Sequence, residues 1–308
     1  MLRFSSSHGG PQLAFDGCDR ANRAEEMLIA ADTFGLVPRH TRVFDVGAFR
    51  GEDFVSLRGT GEFYLLTDYA EGLPYAHDLR QIAETGSLRD QDFQRLDALV
   101  RYLVSTHSIK LPDASLYTRS IRELVGSGEG IFGIIDGYPA HAEGTSREQL
   151  EAIESSCVTW RSRLKHRYPR LVRIHGDFHP FNVLFDERSE LHLLDASRGS
   201  AGDGADDVSA MAVNFLFFAL DNPPSWRSAF QPLWRRFWAE YLAQSRDGEL
   251  LEVVAPFLAW RCLVLANPVW YPHVTAAARA NLLNFVTRAL RARTFDPESA
   301  QKIFAASP

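Results

Sequence analysis

Five side chains able to do chemistry crowd the stretch RIHGDFHPFNVLFDERSELHLLDAS (residues 173–197): His175, Asp177, His179, Asn182 and Asp195. Two chemistries compete for them. His175, Asp177 and His179 alternate, so on a strand they would share one face, and His/Asp ligands suit zinc or iron. Against a metallohydrolase, Pro180 stops that strand, and no further His/Glu pair has helical ligand spacing. The second set is Asp177, Asn182 and Asp195. The first two stand five apart, the base-to-ligand interval of a phosphoryl-transfer loop. Asn182 then opens a strand, the turn DERSE (186–190) reverses the chain, and Asp195 ends the next strand. A hairpin of that size returns Asn182 and Asp195 side by side, where an amide oxygen and a carboxylate could share one Mg²⁺. Asp177, ahead of the hairpin, could accept the proton of an attacking hydroxyl. A solvated turn after a strand is the inert alternative.

The elements that must position these residues are readable from periodicity. A helix is expected over 19–35, from an Asp cap to a Gly, with Met27, Leu28 and Ala31 on its apolar stripe. Short β-like runs follow at 42–51, 53–58 and 62–69, broken by turns such as GTG (59–61). From Asp90 to His107 the apolar spacing is helical, as it is over 147–167. Strands are expected around 171–175, 182–186 and 191–195, and a helix from Asp206. Residues 226–292 read as helical and hold five of the tryptophans, which at that spacing belong mostly to a core. GEGIFG (128–133) matches a GxGxxG pattern, but a helical pattern precedes it where a dinucleotide fold needs a strand, so it is read as an inter-helix loop.

HGDFHPFNVLF (175–185), HLLDAS (192–197) and GDGADDVSAM (202–211) together resemble the aminoglycoside phosphotransferase and choline kinase family. The likeness is dense over about 170–215. It implies an α+β, bilobal, protein-kinase-like fold: a small N-lobe over 1–71 ending in a hinge, and a helical C-lobe over 72–308 carrying the catalytic loop and hairpin. It implies ATP and Mg²⁺ as cofactors and the hydroxyl of a small molecule as acceptor. Asp177 would be the catalytic base, with His175 buttressing its loop, and Asn182 and Asp195 would hold the metal. Asp203 matches the family's Gly-Asp-Pro turn, with Gly204 standing where Pro is usual. Asp207 matches a second Asp at the helix start; helix capping is an equal alternative for both. Backbone groups at Asp68, Tyr69 and Ala70 would hold adenine. Asn267, Trp270 and Tyr271 are weaker candidates for acceptor contacts, since the family's C-terminal helices line that pocket.

The first 70 residues fit the resemblance less well. A full small lobe has a phosphate-covering Gly loop and a Lys strand before its first helix. Here Arg3 stands at the plausible Lys position, Glu25 (or Glu26) is the candidate partner on the helix, and the first lysine of the chain is Lys110. A shortened kinase, an active variant using Arg3, and a degenerate pseudokinase that binds nucleotide or metabolite without turnover are all open expectations.

Composition narrows the rest. The formal charge of −6, without a basic cluster, argues against nucleic-acid binding. Three scattered cysteines, Cys18, Cys157 and Cys262, fit a reducing cytoplasm rather than a disulfide or zinc framework. The longest apolar run, FLFFAL (215–220), is too short for a membrane span.

Overall fold

The computed structural model describes residues 20–61, 63–196 and 198–304; Arg3 lies outside them. The chain divides into two compact units, Met1–Asp68 and Tyr69–Pro308. In the first, helix α1 (Arg20–Thr33) precedes an antiparallel pair, β1 (Gly47–Arg50) and β2 (Asp53–Ser56). The strand expected over 62–69 is absent: residues 63–69 carry no regular structure, and Phe63, Tyr64, Leu65, Leu66 and Tyr69 are all largely exposed. Apolar, β-prone residues make a strand only against a neighbour. In this unit the two described strands pair with each other.

The second unit opens with a two-residue strand, β3 (Leu73–Pro74), followed by α2 (Tyr75–Thr85), α3 (Asp90–His107), α4 (Ala114–Gly126), the short α5 (Ile131–Asp136) and α6 (Arg147–Leu164). Their ends follow local chemistry. The Asp92 carboxylate turns back to accept the Arg89 N–H, Ser146 caps α6 through the Gln149 N–H, and Gly86 takes a left-handed φ of 63° at the end of α2. Of residues 128–133, read as an inter-helix loop, 128–130 lie in the connection between α4 and α5, while 131–133 form the first turn of α5.

Four short strands follow: β4 (Leu171–Arg173), β5 (Val183–Phe185), β6 (Leu191–Leu193) and β7 (Ala201–Asp203). β5 and β6 are the expected hairpin, with Val183 opposite Leu193, and β3 adds to the other edge of β5. Gly72, at φ 128°, allows that approach, because a Cβ there would lie 2.8 Å from the Phe185 carbonyl oxygen. β4 pairs with β7, bringing Leu171 opposite Asp203.

Helix α7 (Ala205–Asp221) is apolar on nearly every face and runs through the core. Helices α8 (Gln231–Ser245), α9 (Leu250–Val253), α10 (Ala255–Ala266) and α11 (Ala276–Arg291) complete the unit. Trp226, Trp234, Trp238 and Trp260 are buried, whereas Trp270 is half exposed. Cys157 and Cys262 are buried thiols pushed up to about 12 by that burial, which suits packing rather than reactivity. No described helix is long and apolar enough to cross a membrane.

Candidate active site

The loop between β4 and β5 is held by its backbone. Asp207, in the first turn of α7, accepts the His175 N–H on Oδ2 at 2.7 Å and the Gly176 N–H on Oδ1 at 2.9 Å. Asp207 is itself fully buried and is bonded to His107 Nε2 at 3.1 Å, while His107 Nδ1 meets the Tyr241 hydroxyl at 2.7 Å. Gly176 adopts φ 86°, and a Cβ there would stand 2.7 Å from the Gly199 carbonyl oxygen, so the Gly of the HGD motif is a steric requirement. His175 is buried; its Nδ1 receives the Asp177 N–H at 3.3 Å and its ring packs edge-on against Phe178.

Asp203 is a second buried node. Arg170 clamps it with two hydrogen bonds of 2.8 Å, the Tyr117 hydroxyl donates to it at 3.0 Å, and the Ala205 N–H caps onto Oδ1 at 3.0 Å. Arg170 also forks onto Asp247 at 2.7 and 2.8 Å. Gly204, where the family usually has Pro, faces the His107 ring: a Cβ would lie 2.9 Å from Nδ1. A side chain at this position would therefore need the His107 ring to shift.

At the centre, Asn182 Nδ2 donates to the Asp177 backbone oxygen at 3.1 Å and approaches Asp177 Oδ2 at 3.4 Å. Asn182 Oδ1 has no partner among the described residues. The Leu194 N–H donates to the Asn182 carbonyl at 2.9 Å, extending the hairpin ladder by one step. Asp195 follows directly, exposed, at φ 50°, a left-handed conformation that Asp tolerates better than most residues. His175, Asp177 and His179 do not converge as metal ligands. Among the described residues, the one group of three converging ligand atoms is Asp186, Glu190 and His192 in the hairpin turn. There Asp186 Oδ1 already accepts the Arg188 and Glu190 N–H groups.

Asp177 carries the largest electrostatic perturbation in the loop. Burial opposes its ionisation, but the His179 contact and the charges of Arg261, His179 and Arg198 outweigh burial and hold its carboxyl well below the usual range. Arg261, from α10, donates to Asp177 Oδ1 at 2.7 Å, to Asp206 Oδ1 at 2.7 Å and to the Gly176 carbonyl at 3.3 Å. Its guanidinium lies 4.0 Å from the Trp260 ring centroid, and that of Arg198 lies 4.6 Å from the same centroid. Asp206 is pushed up to about 6, chiefly by burial.

Arg261 is the residue that motif reasoning misses, though a signal existed. It is the single charge in APFLAWRCLVLA, a helix otherwise apolar, and a buried arginine implies carboxylate partners. The weaker candidates separate. Asn267 is buried in the turn after α10, its Oδ1 accepting the Val269 N–H, so it is not presented to a ligand. Tyr271 stacks edge-on to Phe217, and both burial and the Asp177 charge raise its hydroxyl, which places it within electrostatic reach of the loop. Trp270 is exposed. Glu25 and Glu26 lie exposed on α1 with no ion-pair partner among the described residues. Asp68 ends the first unit, and Tyr69 and Ala70 begin the second.

The model of the phosphotransferase enzyme family, APH, matches residues 50–252, about two-thirds of the chain. The chain belongs to this phosphotransferase family. Membership confirms the resemblance carried by the HGD and hairpin motifs, and with it the α+β, protein-kinase-like class. Among solved structures, a glucosamine kinase shares 17% identity at a TM-score of 0.47, covering 71% of this chain and 58% of its own. The same enzyme in complex with glucosamine, ADP and inorganic phosphate gives 17% and 0.47, covering 71% and 56%. An ethanolamine kinase of Plasmodium vivax gives 16% and 0.38, covering 78% and 63%. The family member described here therefore spans less than two-thirds of the length of these structures. Comparison with curated protein sequences gives no significant match.

Proposed function

We propose that this chain transfers the γ-phosphoryl group of ATP to a hydroxyl of a small molecule. The observation that carries the reading is the Asp177–Asn182 pairing. The amide nitrogen of Asn182 is spent on the Asp177 backbone, and Asn182 Oδ1 keeps its lone pairs without a partner among the described residues. With Asp195 one ladder step past it, the pair offers an amide oxygen and a carboxylate, the hard donor set that suits Mg²⁺. Bound there, Mg²⁺ would neutralise charge on the phosphate oxygens.

The chain's own part is positional, which is what phosphoryl transfer asks of a protein. Asp207 fixes the loop backbone, and Asp177 orients the acceptor hydroxyl. The acceptor oxygen loses its proton to the Asp177 carboxylate and bonds to the γ-phosphorus. The bond from that phosphorus to the β–γ bridging oxygen breaks, and its electron pair leaves with ADP. Adenine contacts at the Asp68, Tyr69 and Ala70 backbone belong to the same proposal, as do Arg3 and Glu25 as phosphate-side residues. So does Tyr271 as an acceptor contact.

Titration calorimetry with Mg·ATP, with Asp195→Asn as control, tests the metal and nucleotide half. Binding that needs magnesium and is lost in the control supports the reading; binding unaffected by Asp195→Asn overturns the metal assignment. ATP turnover against a panel of amino sugars, amino alcohols and nucleosides tests the transfer half. Nucleotide binding without turnover on any of them would make the chain a binding pseudokinase instead.

A further inference from the structure

We infer that Arg261 is a positioning residue for the transfer: from α10 it fixes the Asp177 carboxylate so that Oδ2 faces the acceptor hydroxyl. The inference rests on the phosphotransferase reading above. Asp207 holds the loop through the His175 and Gly176 N–H groups, which sets the backbone of Asp177 but not the rotation of its side chain. A carboxylate free to turn about its last torsion offers either oxygen. Here Oδ1 is taken by Arg261 at 2.7 Å. Oδ2 has longer contacts, 3.4 Å to Asn182 Nδ2 and 3.4 Å to His179 Nε2, and keeps room for a further donor.

The guanidinium is fixed in turn from three elements. Asp206 of α7 takes its second nitrogen at 2.7 Å, the Gly176 carbonyl accepts from that same nitrogen, and Trp260 of α10 covers its plane at 4.0 Å. A planar fork bonded at both tips cannot turn without losing a bond, which a lysine ammonium could not reproduce. An arginine paired with the base weakens it as a base. That is tolerable in phosphoryl transfer, where charge at the reacting oxygen develops late and placement counts for more than basicity.

The test compares Arg261→Gln, Arg261→Lys and Asp206→Asn with the intact chain. It reads kcat and KM for ATP with the acceptor found in the panel or, failing one, with water as acceptor. Misplacing a reacting group by about 1 Å costs about 10²-fold in rate. The expected result is such a loss of kcat in Arg261→Gln with KM for ATP within about twofold, little recovery in Arg261→Lys, and a smaller loss in Asp206→Asn. A double-mutant cycle between Arg261→Gln and Asp177→Asn in denaturant unfolding reads the bond itself, whatever the activity. Folded Arg261→Gln, or folded Arg261→Lys where the first variant does not fold, turning over at the intact rate overturns the positioning role alone. An intact chain that turns over no ATP overturns the phosphotransferase reading and the positioning role with it, while coupling in the cycle would leave Arg261 as a structural bridge.

Discussion

Asp177 and Asp206 both bond one arginine, yet their acidities move in opposite directions. Asp177 gains more from its cationic neighbours than it loses by burial; Asp206 loses more by burial and by the nearby Asp207 charge than Arg261 restores. On the proposed reading, a base held ionised by these neighbours gives turnover no acid limb from Asp177, and its replacement should act on rate alone. Asp177→Asn is expected to lower kcat by about 10²- to 10⁴-fold, the usual contribution of a positioned proton acceptor, with Mg·ATP affinity in calorimetry nearly unchanged. Asp206 makes a prediction about stability. Its folded pKa lies above the ~3.9 of an exposed aspartate, so its extra stability is fully present below about pH 4 and lost as pH rises through about 6. The opposite shift of Asp177 adds stability above ~4 that disappears only at lower pH, so the two windows do not overlap. Denaturant unfolding from pH 4 to 6.5 should therefore show the intact chain losing stability relative to Asp206→Asn, by at most about 3 kcal/mol. Parallel curves would remove the burial argument.

Among the elements, those with a local cause were legible and those with a tertiary cause were not. The Asp90–His107 helix is announced by Phe93, Leu96, Leu99, Val100 and Leu103, and the β5–β6 hairpin by DERSE between apolar runs; both form where expected. The run at 62–69 has strand composition, but a strand depends on a partner that composition cannot report. Arg261 meets Asp177 across 84 positions of sequence, so only the oddity of a charge in an apolar helix pointed to it. The β4–β7 pair shows how such tertiary causes can be tested. Through Asp203, Arg170 ties the strand entering the loop between β4 and β5 to the turn that starts α7, with side-chain exposures of 8% and 0%. Asp203→Ala would leave that guanidinium with Asp247 as its main partner, and loss of one member of a buried pair costs about 3–5 kcal/mol. A denaturation midpoint within error of the intact chain would show that Asp247 suffices. Gly204→Pro, which restores the usual family residue, is expected to lower the melting temperature, because its ring atoms would meet His107.

At the scale of the whole chain the two units differ in how much apolar surface each keeps from solvent. All the buried hydrophobic residues described belong to the second unit, beginning with Tyr75. The first unit leaves Phe44, Phe49, Phe54 and the run from Phe63 to Leu66 largely exposed. Burial of apolar area is the main favourable contribution to folding, and among the described residues that burial lies in Tyr69–Pro308. Cleavage by a protease needs an accessible backbone that can adapt to its groove, and residues 63–69 combine exposure, no regular structure, no hydrogen bond to another described residue, and the aromatic and leucine side chains that chymotrypsin selects. Brief digestion of the native chain should cut first between Phe63 and Tyr69. The product should run from about residue 70 to the C-terminus, resist further cutting, and keep the cooperative thermal transition of the intact protein. First cuts within α3 or the β5–β6 hairpin would instead mean that the helical unit depends on the first 68 residues for its own stability. A fragment that survives but loses Mg·ATP binding would assign part of the nucleotide's grip to the first unit, where Glu25 and Asp68 lie.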